Sequence, residues 1–277
     1  GSPAGEPAAR PPRKGFWREV RELWDTLVLA FALVTLMKTF VIDLYKIPSG
    51  SMTPTLIGDH IAHGDHNGDG IDDLYLVAAT PDGRLFGRQV FIRGADGVLR
   101  CQTDAHRTLY MNDPPHFRPS EVETRYDRIL VNKMWYWFFP LERGDIVVFK
   151  LPDHDDPQTA VRDTLFNPQT PNFIKRVAAL GGEVPTVDAQ GRLVIDGAVV
   201  SEPDVYLRNH YFATDPLRGF QPLPFLGTRV PDGQFYVFGD NSGNSADSRY
   251  WGGVEIDRLR GRAFFRYWPL RHVSFLE

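Results

Sequence analysis

The stretch IPSGSMTPTL, residues 47–56, contains two serines, Ser49 and Ser51, on either side of a glycine. A serine hydroxyl becomes a good nucleophile only when a neighbouring base removes its proton, and that base is most often histidine. The sequence has no G-x-S-x-G elbow and no H-E-x-x-H motif, two common hydrolase signatures. Its eight histidines lie mostly in loop-like stretches, and none is directed toward Ser51 by spacing. A histidine-activated serine is therefore not indicated.

Lysine is the other candidate base, and Lys175 lies in the apolar run FIKRVAAL. With an ordinary pKa of about 10.4, a lysine amine must be buried among apolar groups to be neutral near pH 7. If residues 173–180 form a strand, its two-residue period places Phe173, Lys175 and Val177 on one face. That setting would favour the neutral amine. Composition alone instead favours a charge that protects an edge strand from aggregation.

An apolar segment precedes these residues and predicts a membrane anchor. Residues 26–37 carry no charge, and residues 23–45 approach the length of a transmembrane helix. A buried core helix and a cleavable signal peptide are the alternatives, although no small-x-small cleavage site follows promptly. Basic residues precede the segment, so the positive-inside rule predicts a cytoplasmic tail at residues 1–22 and sends the rest of the chain across the membrane. The Pro/Ala/Gly-rich start of that tail predicts disorder.

The remainder predicts a mostly β protein, because short apolar runs alternate with Gly, Pro and Asp and show no helical period. The predicted strands are residues 129–139, 145–150, 173–180, 192–200, 234–240 and 263–270. Asp196-Gly197 predicts a tight hairpin turn. Residues 154–169 and 204–229 predict loops.

Composition excludes several classes of protein. A hydrophobic content of 42% excludes disorder throughout, and a net charge of -4 argues against a nucleic-acid-binding protein. Cys101 is the sole cysteine, so neither an intramolecular disulfide nor a thiolate-rich metal site can form.

Four segments in a fixed order resemble bacterial type I signal peptidases, the leader peptidases. The segments are IPSGSMTPTL (47–56), RGDIVVF (143–149), FIKRV (173–177) and GDNSGNSADSRYWG (239–252). The resemblance covers residues 23–59 and about 126–277, and it implies a β-sheet catalytic domain behind one N-terminal transmembrane helix. It also implies that Ser51 is the nucleophile and Lys175 its general base.

The resemblance implies further roles by position. Ser49 would donate its hydroxyl to an oxyanion hole completed by the backbone N–H of Ser51, and Ser245 would orient the lysine amine. Asp247 and Arg249 would form a supporting ion pair. The chain departs from the family pattern at Ser242-Gly243, where Arg-Asp is usual, and at Gly181-Gly182-Glu183, where Pro-Gly-Asp is usual.

The implied substrate is a secretory precursor carrying a signal peptide, cut after small residues at P1 and P3. The implied location is the bacterial inner membrane, with the N-terminus cytoplasmic and the catalytic domain on the periplasmic side. The lipid bilayer and the neighbouring secretion translocon are the other implied partners, and no cofactor is required. The aromatic run MWYWFF, residues 134–139, could dip into the membrane interface or pack in the core.

In the family pattern, the segments PTL (54–56 here) and LVNK (130–133 here) are separated by only a few residues. In this chain residues 60–125 lie between them, which predicts an insertion of about 65 residues. The insertion contains DHNGDGIDDLYLV, which resembles a single FG-GAP or integrin-type repeat. Asp65, Asn67, Asp69 and Asp73 would supply oxygen ligands to a structural Ca²⁺. A metal-free Asp/Gly turn is the alternative.

The leading hypothesis is a membrane-anchored Ser/Lys endopeptidase that removes signal peptides. One alternative is a self-cleaving repressor-type Ser/Lys peptidase, which would be soluble and carry a DNA-binding module. The other is an envelope-anchored calcium-binding adhesion module without catalysis. This adhesion alternative predicts that removing calcium abolishes function and that Ser51→Ala leaves function intact.

Overall fold

The structure is a computed structural model that describes residues 15–101, 116–151, 172–215 and 221–276. The chain divides into two compact units, Gly1–Ile42 and Asp43–Glu277. The predicted loop at residues 154–169 and most of the predicted tail lie outside the described residues.

The N-terminal unit contains one long helix, α1 (Phe16–Leu36), which continues as a turn of π-helix over Met37–Val41. Residues 17–41 have a mean hydropathy of 1.6, and no part of their most apolar window is buried. A core helix would be buried, so this alternative is not supported, whereas a membrane span or a signal sequence has the same length and composition. The predicted span of residues 23–45 is wrong at its end, because Ile42–Lys46 forms a strand, β1.

The larger unit is mostly β, as the sequence predicts. Besides β1, its strands are β2 (Gly58–Gly64), β3 (Asp73–Ala79), β4 (Leu85–Arg93), β5 (Leu99–Cys101), β6 (His116–Phe117), β7 (Glu123–Tyr126), β8 (Arg128–Asn132), β9 (Ile146–Lys150), β10 (Asn172–Leu180), β11 (Pro185–Val187), β12 (Leu193–Ile195), β13 (Ala198–Val199), β14 (Thr214–Asp215), β15 (Gln221–Pro222), β16 (Gln234–Phe238), β17 (Val254–Glu255), β18 (Leu259–Trp268) and β19 (Ser274–Phe275). Its one-turn helices are α2 (Trp135–Phe138), α3 (Val205–Arg208) and α4 (Ser248–Trp251).

The main sheet has the strand order β1-β8-β18-β9-β10-β16-β17, with β19 paired to β18. β10 lies between β9 and β16 and runs antiparallel to both. Phe173 and Val177 of β10 pack in one apolar cluster and Ile174 in another, as the two-residue period predicts. The central strands are therefore covered by apolar side chains on both faces.

Strands β2 to β7 build a second sheet of order β5-β4-β3-β2-β7, with β6 paired to β4. The strands that come first and last along the chain, β2 and β7, are direct neighbours in this sheet. Gly58 of β2 pairs with Tyr126 of β7. The apolar residues of β3 and β4 give it a core of its own, which includes Leu74, Leu76 and Phe91.

Two local predictions differ from the structure. Residues 129–139 are not one strand, because β8 ends at Asn132 and the aromatic residues form α2. The side chain of Asn132 accepts a hydrogen bond of 3.0 Å from the backbone N–H of Met134, which turns the chain. Residues 204–229 contain α3 and the short pair β14–β15 rather than loop alone.

The predicted hairpin at Asp196-Gly197 is confirmed. It joins β12 to β13, with φ of 49° at Asp196 and 86° at Gly197. Positive φ at both central residues is the requirement of the tight turn that an Asp-Gly pair predicts.

Candidate active site

Ser51 lies in a 3₁₀ turn, Gly50–Met52, that follows β1. Ile47 before the turn, Met52 at its last position and Leu56 after it are buried in the same apolar cluster of the main sheet. The turn is thereby fixed on both sides of the serine, whose side chain is 8% exposed.

Lys175 reaches this turn from the middle of β10. Its Nζ lies 2.7 Å from the Oγ of Ser51 and 3.2 Å from the carbonyl oxygen of Ile174. Lys175 is 5% exposed and forms no ion pair with any described residue. The edge-strand interpretation is wrong, because β10 has a paired strand on each side.

The pKa of Lys175 is lowered to about 8, chiefly because burial disfavours the charged ammonium. The carboxylates of Asp247 and Asp240 act in the opposite direction, and Arg249 lowers the pKa further. A base with a pKa near the working pH combines a useful neutral fraction with good proton affinity. The pair Ser51–Lys175 therefore has the distance and the protonation properties of a nucleophile and its base.

Ser49 lies at the mouth of the site. Its Oγ is 3.3 Å from the Oγ of Ser51, and the residue is exposed to solvent. A hydroxyl beside the nucleophile can rotate toward an oxygen that becomes negatively charged during attack. The position fits the predicted oxyanion donor.

Ser245 is buried, but its predicted hydrogen bond to Lys175 is not formed. Its Oγ has no hydrogen-bond partner among the described residues. Within the described ranges, the Lys175 amine is held by the carbonyl of Ile174 instead. That backbone contact follows from strand geometry and carries no sequence signal.

Asp247 and Arg249 form the predicted ion pair. The Nε and Nη2 of Arg249 each donate a 2.8 Å hydrogen bond to the Asp247 carboxylate, and both side chains are fully buried. The same carboxylate accepts a bond of 3.0 Å from the backbone N–H of Gly239, at the end of β16. The pair therefore fixes the segment that follows β16.

Sequence analysis missed a second buried ion pair. Arg176 donates two bonds of 2.9 Å to Asp240 and a third, of 2.8 Å, to the carbonyl of Gly144. It also missed Asn241, whose backbone N–H donates to the carbonyl of Ser51 at 3.0 Å. The available signal was that these residues belong to the FIKRV and GDN segments already singled out.

The two departures from the family pattern have structural roles. Ser242 accepts a bond of 3.0 Å from the backbone N–H of Phe212 and another, on its hydroxyl, from Arg249. Glu183 accepts a bond of 2.7 Å from the backbone N–H of Leu180 and pairs with Arg143 at 2.5 Å. Both positions therefore stabilise the turns in which they lie.

The predicted calcium loop is engaged mostly in backbone hydrogen bonds. The Asp65 carboxylate accepts bonds from the N–H groups of Gly68, Asp69 and Gly70, at 2.7, 3.2 and 2.8 Å. Those bonds lower the pKa of Asp65. Asp73 is buried and accepts bonds from two other backbone N–H groups. Among the described residues, no group of three His, Cys, Asp or Glu side chains is arranged to hold a metal.

A cavity of about 310 Å³ opens beside the two reactive side chains. Its wall includes Ile47, Phe173 and Ile174, and Ala246 contributes a small side chain. The site can therefore accept a small apolar group next to the serine hydroxyl.

Comparison with known proteins places this site in a family. Residues 119–268 match the family model described as signal peptidase, peptidase S26. The match includes Lys175, Ser245, Asp247 and Arg249, whereas Ser49 and Ser51 precede it.

Individual proteins agree with that match. The chain is 37% identical over 150 residues to the probable signal peptidase I-2 of Synechocystis, covering 54% of this chain and 59% of that protein. It is 36% identical over 151 residues to signal peptidase I of Leptolyngbya laminosa, covering 54% and 64%. A crystal structure of a signal peptidase I from Enterococcus faecalis is 26% identical and covers 45% of this chain and 97% of that one, with a TM-score of 0.30. The two relatives are thus matched over about 60% of their length. The family match spans more than half of the chain, which therefore belongs to the peptidase S26 signal peptidases.

Proposed function

We propose that this protein is a membrane-anchored serine endopeptidase that removes signal peptides with a Ser51–Lys175 dyad. The observation that carries the proposal is the 2.7 Å separation of Nζ and Oγ in a buried setting. Family membership supports the reaction class, and the lowered pKa of Lys175 supports its role as base.

The proposed reaction runs in two halves. Neutral Lys175 takes the Ser51 proton while Oγ attacks the scissile carbonyl, and the lysine then gives that proton to the leaving amine. The Ser49 hydroxyl and the Ser51 backbone N–H stabilise the oxyanion. Lys175 next takes a proton from water as the water oxygen attacks the acyl-enzyme carbonyl. The lysine then returns that proton to the Oγ of Ser51 as the ester bond breaks, which releases the acid product and restores the dyad. The dyad needs no metal or organic cofactor for these steps.

The proposed substrate is a precursor with small residues at P1 and P3. The cavity beside Ser51 supports this choice, because Ala246 and the apolar wall leave room for a small side chain. Tethering enzyme and precursor at one bilayer raises their effective concentration.

The proposed anchor is the helix at residues 17–41, in the bacterial inner membrane and near the secretion translocon. The aromatic residues of α2 support contact with lipid, because Trp137 and Phe138 are each 71% exposed. For orientation, Ala9→Cys in a Cys101→Ser background should react with an impermeant maleimide in inside-out vesicles. Reaction confined to right-side-out vesicles would place the tail on the wrong side.

The direct test is incubation with a precursor bearing an Ala-x-Ala junction, followed by mass spectrometry of the products. The wild-type protein should cut after the second alanine. Ser51→Ala and Lys175→Ala should fold and leave the precursor intact. Normal cleavage by either variant would disprove the dyad.

We also propose that residues 60–125 are an insertion in the peptidase domain, with 46–59 and 126–277 forming the catalytic part. The pairing of β2 with β7 supports this division, because residues on either side of the interruption are neighbours. A calcium-binding role for residues 65–73 stays a prediction. Calorimetric titration with Ca²⁺ tests it, and an absence of heat would reject both that role and the calcium-dependent adhesion alternative.

A further inference from the structure

Gln89 of β4 is a buried amide that links the second sheet to Asn241, the residue that holds the turn carrying Ser51. Gln89 is 5% exposed, and its Nε2 donates a bond of 2.6 Å to the Oδ1 of Asn241. In return the Nδ2 of Asn241 donates a bond of 2.8 Å to the Oε1 of Gln89. Two amides 152 positions apart are thus joined head to tail.

Asn241 in turn holds the backbone of the Ser51 turn. Its Nδ2 donates a bond of 3.0 Å to the carbonyl of Gly50, and its backbone N–H donates one of 3.0 Å to the carbonyl of Ser51. An asparagine amide presents a donor or an acceptor according to how it is turned. The Gly50 carbonyl sets that choice because it can only accept, and Gln89 matches it with a donor to Oδ1 and an acceptor to Nδ2. The reverse orientation would place Oδ1 against the Gly50 carbonyl.

Gln89 also contacts the neighbouring strand of its own sheet. Its Nε2 also lies 3.4 Å from the sulfur of Cys101 on β5. Asn241 is completely buried, so an amide left without Gln89 would lose its hydrogen bonds without gaining water. Breaking the Gln89–Asn241 hydrogen bonds would therefore destabilise the folded protein.

The same sheet also packs against Gly50 directly. A Cβ at Gly50 would lie 2.9 Å from the Oδ2 of Asp59 on β2 and 3.1 Å from Leu76 on β3. Asp59 is held in place by an ion pair with Arg88. The back of the turn therefore fits closely against two strands of the second sheet.

We propose that Gln89 is a positioning residue for Ser51, and that the second sheet acts in the reaction by fixing the turn that carries the nucleophile. The inference rests on the proposed peptidase function for its kinetic effect. It assigns the second sheet a part in the turnover step rather than in capture of the substrate.

Gln89→Glu tests the inference, because it keeps the shape of the side chain and removes the donor to Asn241. We expect kcat on an Ala-x-Ala precursor to fall about tenfold or more, because one to two hydrogen bonds that position the turn are lost. KM should stay within about twofold of the wild-type value. Gln89→Glu also adds a charge, so the pH midpoint of kcat is measured in Gln89→Met, which removes the amide without adding a charge. That midpoint should stay at the wild-type value, since the charges around Lys175 are unchanged. Gln190→Glu is the matched control, because Gln190 is exposed in a distant turn.

Hydrogen exchange supplies a readout that does not need activity. The amide of Asn241, which donates to Ser51, should exchange faster in Gln89→Glu than in wild type, with protection of β9 and β10 unchanged. An unchanged kcat or unchanged exchange at Asn241 would overturn the inference, as would an equal loss of protection throughout the main sheet. A wild-type protein that cuts no precursor would defeat the peptidase function instead, and the exchange result would still decide the contact.

Discussion

Arg176 donates two hydrogen bonds of 2.9 Å to Asp240, while its neighbour Lys175 forms no ion pair with any described residue. Asp247 is held in the same manner by Arg249. Both carboxylates that raise the pKa of Lys175 are thus bound to guanidinium groups, which keep their charge at any working pH. Burial therefore outweighs the carboxylates and lowers the pKa of the amine.

The two halves of the Asp247–Arg249 pair should shift the activity profile in opposite directions. Arg249→Gln removes a charge that lowers the pKa of Lys175, so the rising limb of kcat/KM against pH should move to higher pH. Asp247→Asn removes a charge that raises it, so the limb should move to lower pH. Profiles measured on one precursor, with circular dichroism to check folding, decide this. Shifts of the same sign would contradict the electrostatic account.

Ser49→Ala should slow turnover without weakening substrate binding. The lost hydroxyl would act only on the oxyanion, so kcat should fall about 10²–10³-fold with KM nearly unchanged. Because Ser49 is exposed, the melting temperature should stay at the wild-type value. A rise in KM at constant kcat would show that Ser49 binds substrate instead.

Gly58→Ala should distort the backbone that leads into the Ser51 turn. A Cβ there would lie 2.6 Å from the backbone nitrogen of Ser49 and even closer to the carbonyl oxygen of Ile47. The backbone before Ser51 must shift, so both kcat and stability should fall. Gly64→Ala is the matched control on the same strand, since among the described residues its Cβ would meet Tyr75 alone, at 3.8 Å. Equal kcat in both variants would refute the close approach.

Lys175→Met should stabilise the fold while abolishing cleavage. The pKa of Lys175 is about 8 in the folded chain and about 10.4 when unfolded, so the unfolded chain binds more protons between those values. The penalty of burying the ammonium is complete below pH 8 and is relieved as pH rises toward 10.4. Urea unfolding at pH 7 should show that the free energy of unfolding of Lys175→Met exceeds that of wild type by on the order of 3 kcal/mol at most. This difference should shrink by pH 10. A destabilised variant at pH 7 would mean that the amine is held by favourable contacts.

Local sequence patterns predicted some elements of this fold and missed others. The hairpin at Asp196-Gly197 follows from a local pattern, because turn chemistry depends on neighbouring residues. The predicted roles of Ser51 and Lys175 rest instead on the resemblance to signal peptidases, since the local pattern around Lys175 equally allowed an edge strand. The aromatic residues of α2 favour strands by propensity, yet a single side-chain bond from Asn132 ends the strand before them.

Contacts between distant segments could not be predicted in this way. Gln89 lies 152 positions from Asn241, and Arg176 lies 64 from Asp240. Nothing in the local pattern of either segment indicates its partner. The Lys175 contact to the Ile174 carbonyl is likewise a property of backbone geometry.

Direct titration of the lysine amine tests the dyad most closely. The chain has six lysines, so ¹⁵N labelling at Nζ gives few signals, and Lys175→Arg assigns the one of interest. The Ser51→Ala protein keeps the burial and prevents turnover during measurement. We predict a midpoint near pH 8 for Lys175. A midpoint at the ordinary value of about 10.4 would contradict the proposal that this lysine is the base.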